Sequence, residues 1–75
     1  MRFVYTVVYK ADYMVCGTFS TFSNAQNWIY EDITDGYTSG EVKKALIQKY
    51  KDNYVVIQCE LDTDNQREID MKDNM

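Results

Sequence analysis

Cys16 and Cys59 are the best nucleophiles this chain offers, and it contains no histidine that could act on either. A working thiol needs a base or a cation that holds it as thiolate. Both cysteines fall inside strand-like runs, so two buried free thiols in a reducing compartment are the expectation. Without histidine, Ser-His-Asp constellations and imidazole metal sites are excluded. The three glycines are scattered and build no phosphate-cradling loop. Glu31, Asp32 and Asp35 gather near a predicted helix end, where a solvated acidic face accounts for them better than an acid/base pair. The run Asp62-Thr63-Asp64-Asn65-Gln66-Arg67 opens like a calcium loop. However, Arg67 stands where glycine is required, and Asp73 where a bidentate glutamate is required. The chemistry therefore reads as non-enzymatic, with no metal and no cofactor.

Charge narrows the partners. The net charge is −4, and most of the excess lies after Leu61, so the body is close to neutral. A mimic of duplex DNA would carry its carboxylates across the folded surface. Lys43, Lys44 and Lys51 make a short basic strip beside Tyr50, and an RNA-binding regulator built on that strip is a third-ranked reading. Nucleic-acid binders normally carry a net positive domain, so nucleic acid is disfavoured as a partner. No apolar run reaches the roughly 18 to 20 residues of a membrane span. Together with the cysteine usage and the absence of a secretory-type leader, this predicts a protein of the cytoplasm.

The elements that must position these groups follow from periodicity. Hydrophobic residues make up 45% of the 75 positions, enough for one small core and for one domain. Phe3-Val4-Tyr5-Thr6-Val7-Val8-Tyr9 and Tyr13-Met14-Val15-Cys16-Gly17-Thr18-Phe19 are rich in β-branched and aromatic residues and read as a hairpin turning at Ala11-Asp12. An unbroken ladder pairs Tyr9 with Met14, Val8 with Val15, Thr6 with Gly17 and Val4 with Phe19. Val4, Thr6, Val8, Val15, Gly17 and Phe19 then share the side expected to lie under helices.

Thr21 is a ready N-cap for a helix over 22–33, with an apolar stripe of Phe22, Ala25, Ile29 and Ile33 and a stop at Gly36. Thr38-Ser39-Gly40-Glu41 fits a capping box for a second helix carrying Val42, Ala45, Leu46 and Tyr50. Residues 54–61 form a third strand with Val55, Ile57, Cys59 and Leu61 inward, running antiparallel to the second. The predicted fold class is α+β: a ββααβ unit over 1–61, with a three-stranded, mainly antiparallel sheet and both helices on one face. The acidic, aperiodic stretch 62–75 reads as a disordered tail.

Two short helices cover one side of such a sheet, and the hairpin is apolar on both. The uncovered side should hold Phe3, Tyr5, Val7, Tyr9, Met14 and Cys16, an aromatic patch of the kind that marks a binding surface. Phe3, Tyr5, Tyr9 and Met14 are the expected partner contacts, with Trp28 and Tyr30 ranked second.

Glu41-Val42-Lys43-Lys44-Ala45-Leu46-Ile47, then Val55-Val56 and the late Cys59, all behind an N-terminal hairpin, resemble the Dmd-type antitoxins of T-even bacteriophages. Those proteins neutralise host RNase toxins by binding them. The resemblance implies a class, a small phage-encoded host-takeover or anti-defence protein, and transfers no functional residues. The expected function is inhibition or redirection of a host protein by steric occlusion. The alternative is an accessory homodimer that buries the aromatic sheet face in itself.

Overall fold

The computed structural model describes residues 2–71. Its elements are β1 (Phe3–Tyr9), β2 (Met14–Phe19), α1 (Phe22–Thr34), α2 (Gly40–Tyr50), a 3-10 turn (Lys51–Asn53), β3 (Tyr54–Glu60) and β4 (Gln66–Asp70). The order is ββααββ, and the sheet is four-stranded and antiparallel, arranged β2-β1-β3-β4. The α+β class stands, but the three-stranded expectation does not. The fourth strand comes from the acidic stretch read as a tail. It pairs Val55, Val56, Ile57, Gln58 and Cys59 of β3 with Asp70, Ile69, Glu68, Arg67 and Gln66. Its alternation is hard to see in sequence because only Ile69 is strongly apolar. Residues 72–75 lie outside the described residues.

The hairpin forms as its composition dictates. A four-residue loop closes it, with Tyr13 in the left-handed region at φ 55° and Asp12 Oδ1 accepting from the Met14 amide at 3.0 Å. Tyr9 meets Met14 and Val8 meets Val15, as predicted. The register then shifts by one residue, so that Val7 faces Gly17, Thr6 faces Thr18 and Tyr5 faces Phe19. Cys16 is the extra residue of a β-bulge. Gly17 sits close against Phe19, where an added Cβ would stand 3.2 Å from the ring and the ring would have to shift.

Along β1, α1 covers the side opposite to the one expected, while the bulge leaves Gly17 and Phe19 of β2 on the helix-covered side as expected. Its Ala25 and Ile29 are fully buried in a core with Val7, Tyr54, Val56 and Met71, ringed by Tyr5, Tyr9, Cys16, Phe19, Phe22, Trp28, Tyr30, Ile33 and Ile69. Phe3, Tyr5, Val7 and Tyr9 alternate onto this side, whereas Val4, Thr6, Val8 and Val15 lie on the open one. On β3 the inward residues are Tyr54, Val56 and Gln58, not Val55, Ile57, Cys59 and Leu61. The physical reason is area. Aromatic rings bring more apolar surface out of water than β-branched side chains. Their hydroxyls also find partners at the margins: Tyr54 Oη donates to Asp32, and Gln58 Nε2 donates to Tyr5 Oη at 3.0 Å.

The helices differ in role. Thr21 caps α1 as predicted, its hydroxyl accepting from the Asn24 amide at 3.1 Å, and Gly36 takes φ 86° just past the end. For α2 the cap is Ser39 rather than Thr38, accepting from the Val42 amide at 3.4 Å. α1 ends, and β3 begins, at the hairpin end of the sheet. α2 is therefore spent at that end and does not return along the sheet, so β3 runs in the same direction as β2, contrary to expectation. α2 packs on α1 and on the 3-10 turn, and none of its residues is buried. It extends the molecule to 42 × 22 × 20 Å. One helix, not two, covers the sheet.

This division of labour sets an expected contrast. Ile29→Ala, which empties a fully enclosed site, should destabilise by about 2–5 kcal/mol. Val42→Ala, at a position 42% exposed, should cost less than about 1 kcal/mol. Urea unfolding of both variants beside the parent measures the difference.

Candidate functional site

A solvent-open cleft of about 570 Å³ lies between β2 and the last turns of α1. Its parts come from every element that meets at the hairpin end. α1 places Trp28 and Asp32 four residues apart, so one helical face carries both. β1 supplies Tyr9, β3 supplies Tyr54, β2 supplies Met14 and the bulged Cys16, and the turn supplies Asp12. The Tyr54 ring is only 6% exposed and forms the floor. Tyr9 and Trp28 stand nearly at right angles to it, with centroids 5.3 and 6.5 Å away, the edge-to-face geometry that aromatic pairs favour.

The electrostatics of the cleft are one-sided. Tyr54 Oη donates to Asp32 Oδ2 at 2.6 Å, a short charge-assisted bond. Burial, then that hydrogen bond and the Asp32 charge, push the Tyr54 phenol well above its ordinary value. Burial also raises the Cys16 thiol, with Asp32 and then Asp12 adding to it against a lowering backbone hydrogen bond at Tyr9. Its thiol is thus held protonated, the opposite of what a nucleophile needs. Among the described residues no group of three or more cysteine, aspartate or glutamate side chains is placed to hold a metal ion.

A second feature is the sheet side that α1 leaves bare. Val4, Thr6, Ile57 and Cys59 form a partly exposed, mainly β-branched centre, with Val15 and Thr18 along the β2 margin. At the hairpin end this surface is closed. Lys10 Nζ reaches Asp70 Oδ2 at 3.7 Å across Val55, which pairs with both Val8 and Asp70. An exposed ion pair of this kind contributes little energy, but the lysine stem shields apolar surface, and Val8 and Val55 are buried. On β4 the exposed Glu68 lies beside Ile57.

The residues expected to contact a partner are thus redistributed. Phe3, Tyr5, Tyr9, Trp28 and Tyr30 are half-buried and belong to the helix-covered side, while Met14 is 63% exposed at the lip of the cleft. The structure brings Tyr9, Met14 and Trp28 together in one site. Tyr5 instead packs on Phe22 at 6.3 Å, toward the start of α1. Lys51 is 8% exposed, and its burial breaks the basic strip that began at Lys43 and Lys44. Asp12, Asp32 and Tyr54 were not singled out as contacts. The Trp28–Asp32 spacing was readable, but their meeting with Asp12 depends on α1 ending over the hairpin end of the sheet.

No helix among the described residues is long and apolar enough to cross a membrane. No family model, curated protein or solved structure matches the chain. Fold and site define it as a small α+β protein with one aromatic, acidic cleft and one open sheet face.

The Tyr54–Asp32 bond gives a measurable pH signature. The folded-state phenol lies above its unfolded value of about 10, so the folded state keeps this proton longer. The associated stability is complete below about pH 10 and is lost as pH rises from there. Tyr54→Phe should reduce stability at neutral pH by about 1–2 kcal/mol and make the decline above about pH 10 shallower. Denaturant midpoints across alkaline pH test both parts.

Proposed function

We propose that this chain is a non-catalytic binding protein that docks on a protein partner and blocks or redirects it by occlusion. The observation that carries the reading is the bare sheet side centred on Val4, Thr6, Ile57 and Cys59, which no element among the described residues covers. The docking surface is therefore the β-branched side of the sheet, reached around the β2 edge, rather than the tyrosine side. The resemblance to phage antitoxins supports a host protein as the partner and phage takeover or anti-defence as the setting.

Charge favours a different protein over a second copy. A sheet-to-sheet homodimer would bring two copies of the acidic β4 margin into one interface, with Glu68 beside the apolar centre and −4 on each chain. Like charges at an interface suppress that pairing, whereas a basic-rimmed surface would be attracted. The RNA-binding reading loses Lys51 to burial.

Thr6→Lys with Ile57→Lys places two cations on the open side without touching the core. The expected result is a folded monomer by sedimentation that no longer retains the protein captured from bacterial lysate by the parent, with losses of at least about tenfold. Val42→Ala, at the far end of the molecule, should retain capture. Equal capture by the double variant and the parent would falsify the assignment of this face, and a parent that sediments as a dimer would favour self-association.

A further inference from the structure

The cleft beside β2 asks for a ligand of definite chemistry. Two aromatic faces, Tyr9 and Trp28, flank it, and two carboxylates, Asp12 and Asp32, border it, with no basic side chain in its lining. Each carboxylate has one oxygen committed, Asp32 Oδ2 to Tyr54 and Asp12 Oδ1 to the Met14 amide. Each also has a second oxygen for which no hydrogen-bond partner is seen among the described residues. Aromatic faces attract cations through the ring quadrupole, and carboxylates attract them by charge.

We infer that this cleft takes the guanidinium of an arginine side chain presented by a protein partner. A planar guanidinium can stack on an indole or phenol ring while its edge donates to a carboxylate in a fork. An ammonium is a compact, strongly hydrated point charge and uses flat aromatic walls less well. The volume, about 570 Å³, accommodates a side chain together with the backbone that presents it. The raised thiol of Cys16 is an internal reporter of the same field, since both Asp32 and Asp12 contribute to it. Val15 lines the cleft and belongs to the β2 edge that borders the open sheet side, so one basic segment crossing that edge could engage both. The identity of the arginine's source rests on the binding-protein reading; the recognition chemistry does not.

Trp28 is the only tryptophan in the chain, so its fluorescence reads occupancy of the cleft directly. Titration of the full chain with N-acetyl-arginine amide should give a saturable change with roughly millimolar dissociation, the scale of a single stacked and paired side chain. The neutral isostere N-acetyl-citrulline amide should produce at least about tenfold weaker binding, because it keeps the shape and loses the charge. Asp12→Asn and Asp32→Asn each retain an acceptor for the Met14 amide or for Tyr54. Each should weaken the arginine probe several-fold while circular dichroism and the urea midpoint stay close to the parent. If a variant does lose structure, the citrulline comparison on the parent decides alone.

Equal responses to arginine and citrulline, or no saturable change across the millimolar range, overturn the proposal. N-acetyl-lysine amide binding as tightly as the arginine probe overturns the guanidinium assignment. Thr6→Lys with Ile57→Lys should leave the arginine titration unchanged while partner capture is lost. A silent titration alongside intact capture defeats the cleft alone, and the reverse pattern defeats the docking face alone.

Discussion

Ala25 and Ile29 of α1 rest on Val7 and Val56 with no exposure to solvent, and that contact determines which side of the sheet becomes the interior. A strand with apolar residues at both odd and even positions carries no internal instruction about which set to bury. Here the side with the larger rings is buried, and the small alanine lets the helix approach closely enough to cover them. From this one choice follow the positions of Tyr9, Trp28 and Tyr54 around the cleft and the exposure of Val4, Thr6 and Ile57 on the far side. Had the helix settled on the other side, no aromatic recess would exist and Asp32 would face no phenol.

Much of the local structure was legible. The N-cap at Thr21, the helix stop at Gly36, the hairpin turn at Ala11-Asp12 and the strand beginning at Tyr54 each rest on short-range chemistry that acts within a few residues. What escaped was long-range. The bulge at Cys16 shifts the pairing between Val8–Val15 and Val7–Gly17, and it is defined only by the match of one strand to the other. β4 pairs through backbone groups that any sequence possesses, and its single strong apolar residue, Ile69, lacks the alternation that would announce a strand. α2 has a good amphipathic stripe, yet that stripe is mostly left to solvent, because chain connectivity places it beyond the end of the sheet.

The site shows the same division. Trp28 and Asp32 share a helix face by simple periodicity, and Asp12 is an expected turn residue. Their convergence on Tyr54 needs the strand order β2-β1-β3, which places the end of β1 and the start of β3 under the last turns of α1. The polar tips of Tyr5 and Tyr54 serve the interior margin, where Gln58 and Asp32 satisfy them.

The two edges of the sheet are protected by different means. β4 carries Arg67, Glu68 and Asp70, charges that discourage a foreign strand from adding to it. β2 reads Met-Val-Cys-Gly-Thr-Phe, with no charge at all, and in a flat sheet such an edge would recruit other chains into continuous β-structure. The extra residue at Cys16 interrupts its ladder and increases its twist, so a second straight strand cannot follow it for its full length. The irregularity that shapes the cleft thereby also works against strand addition along this uncharged hydrophobic edge.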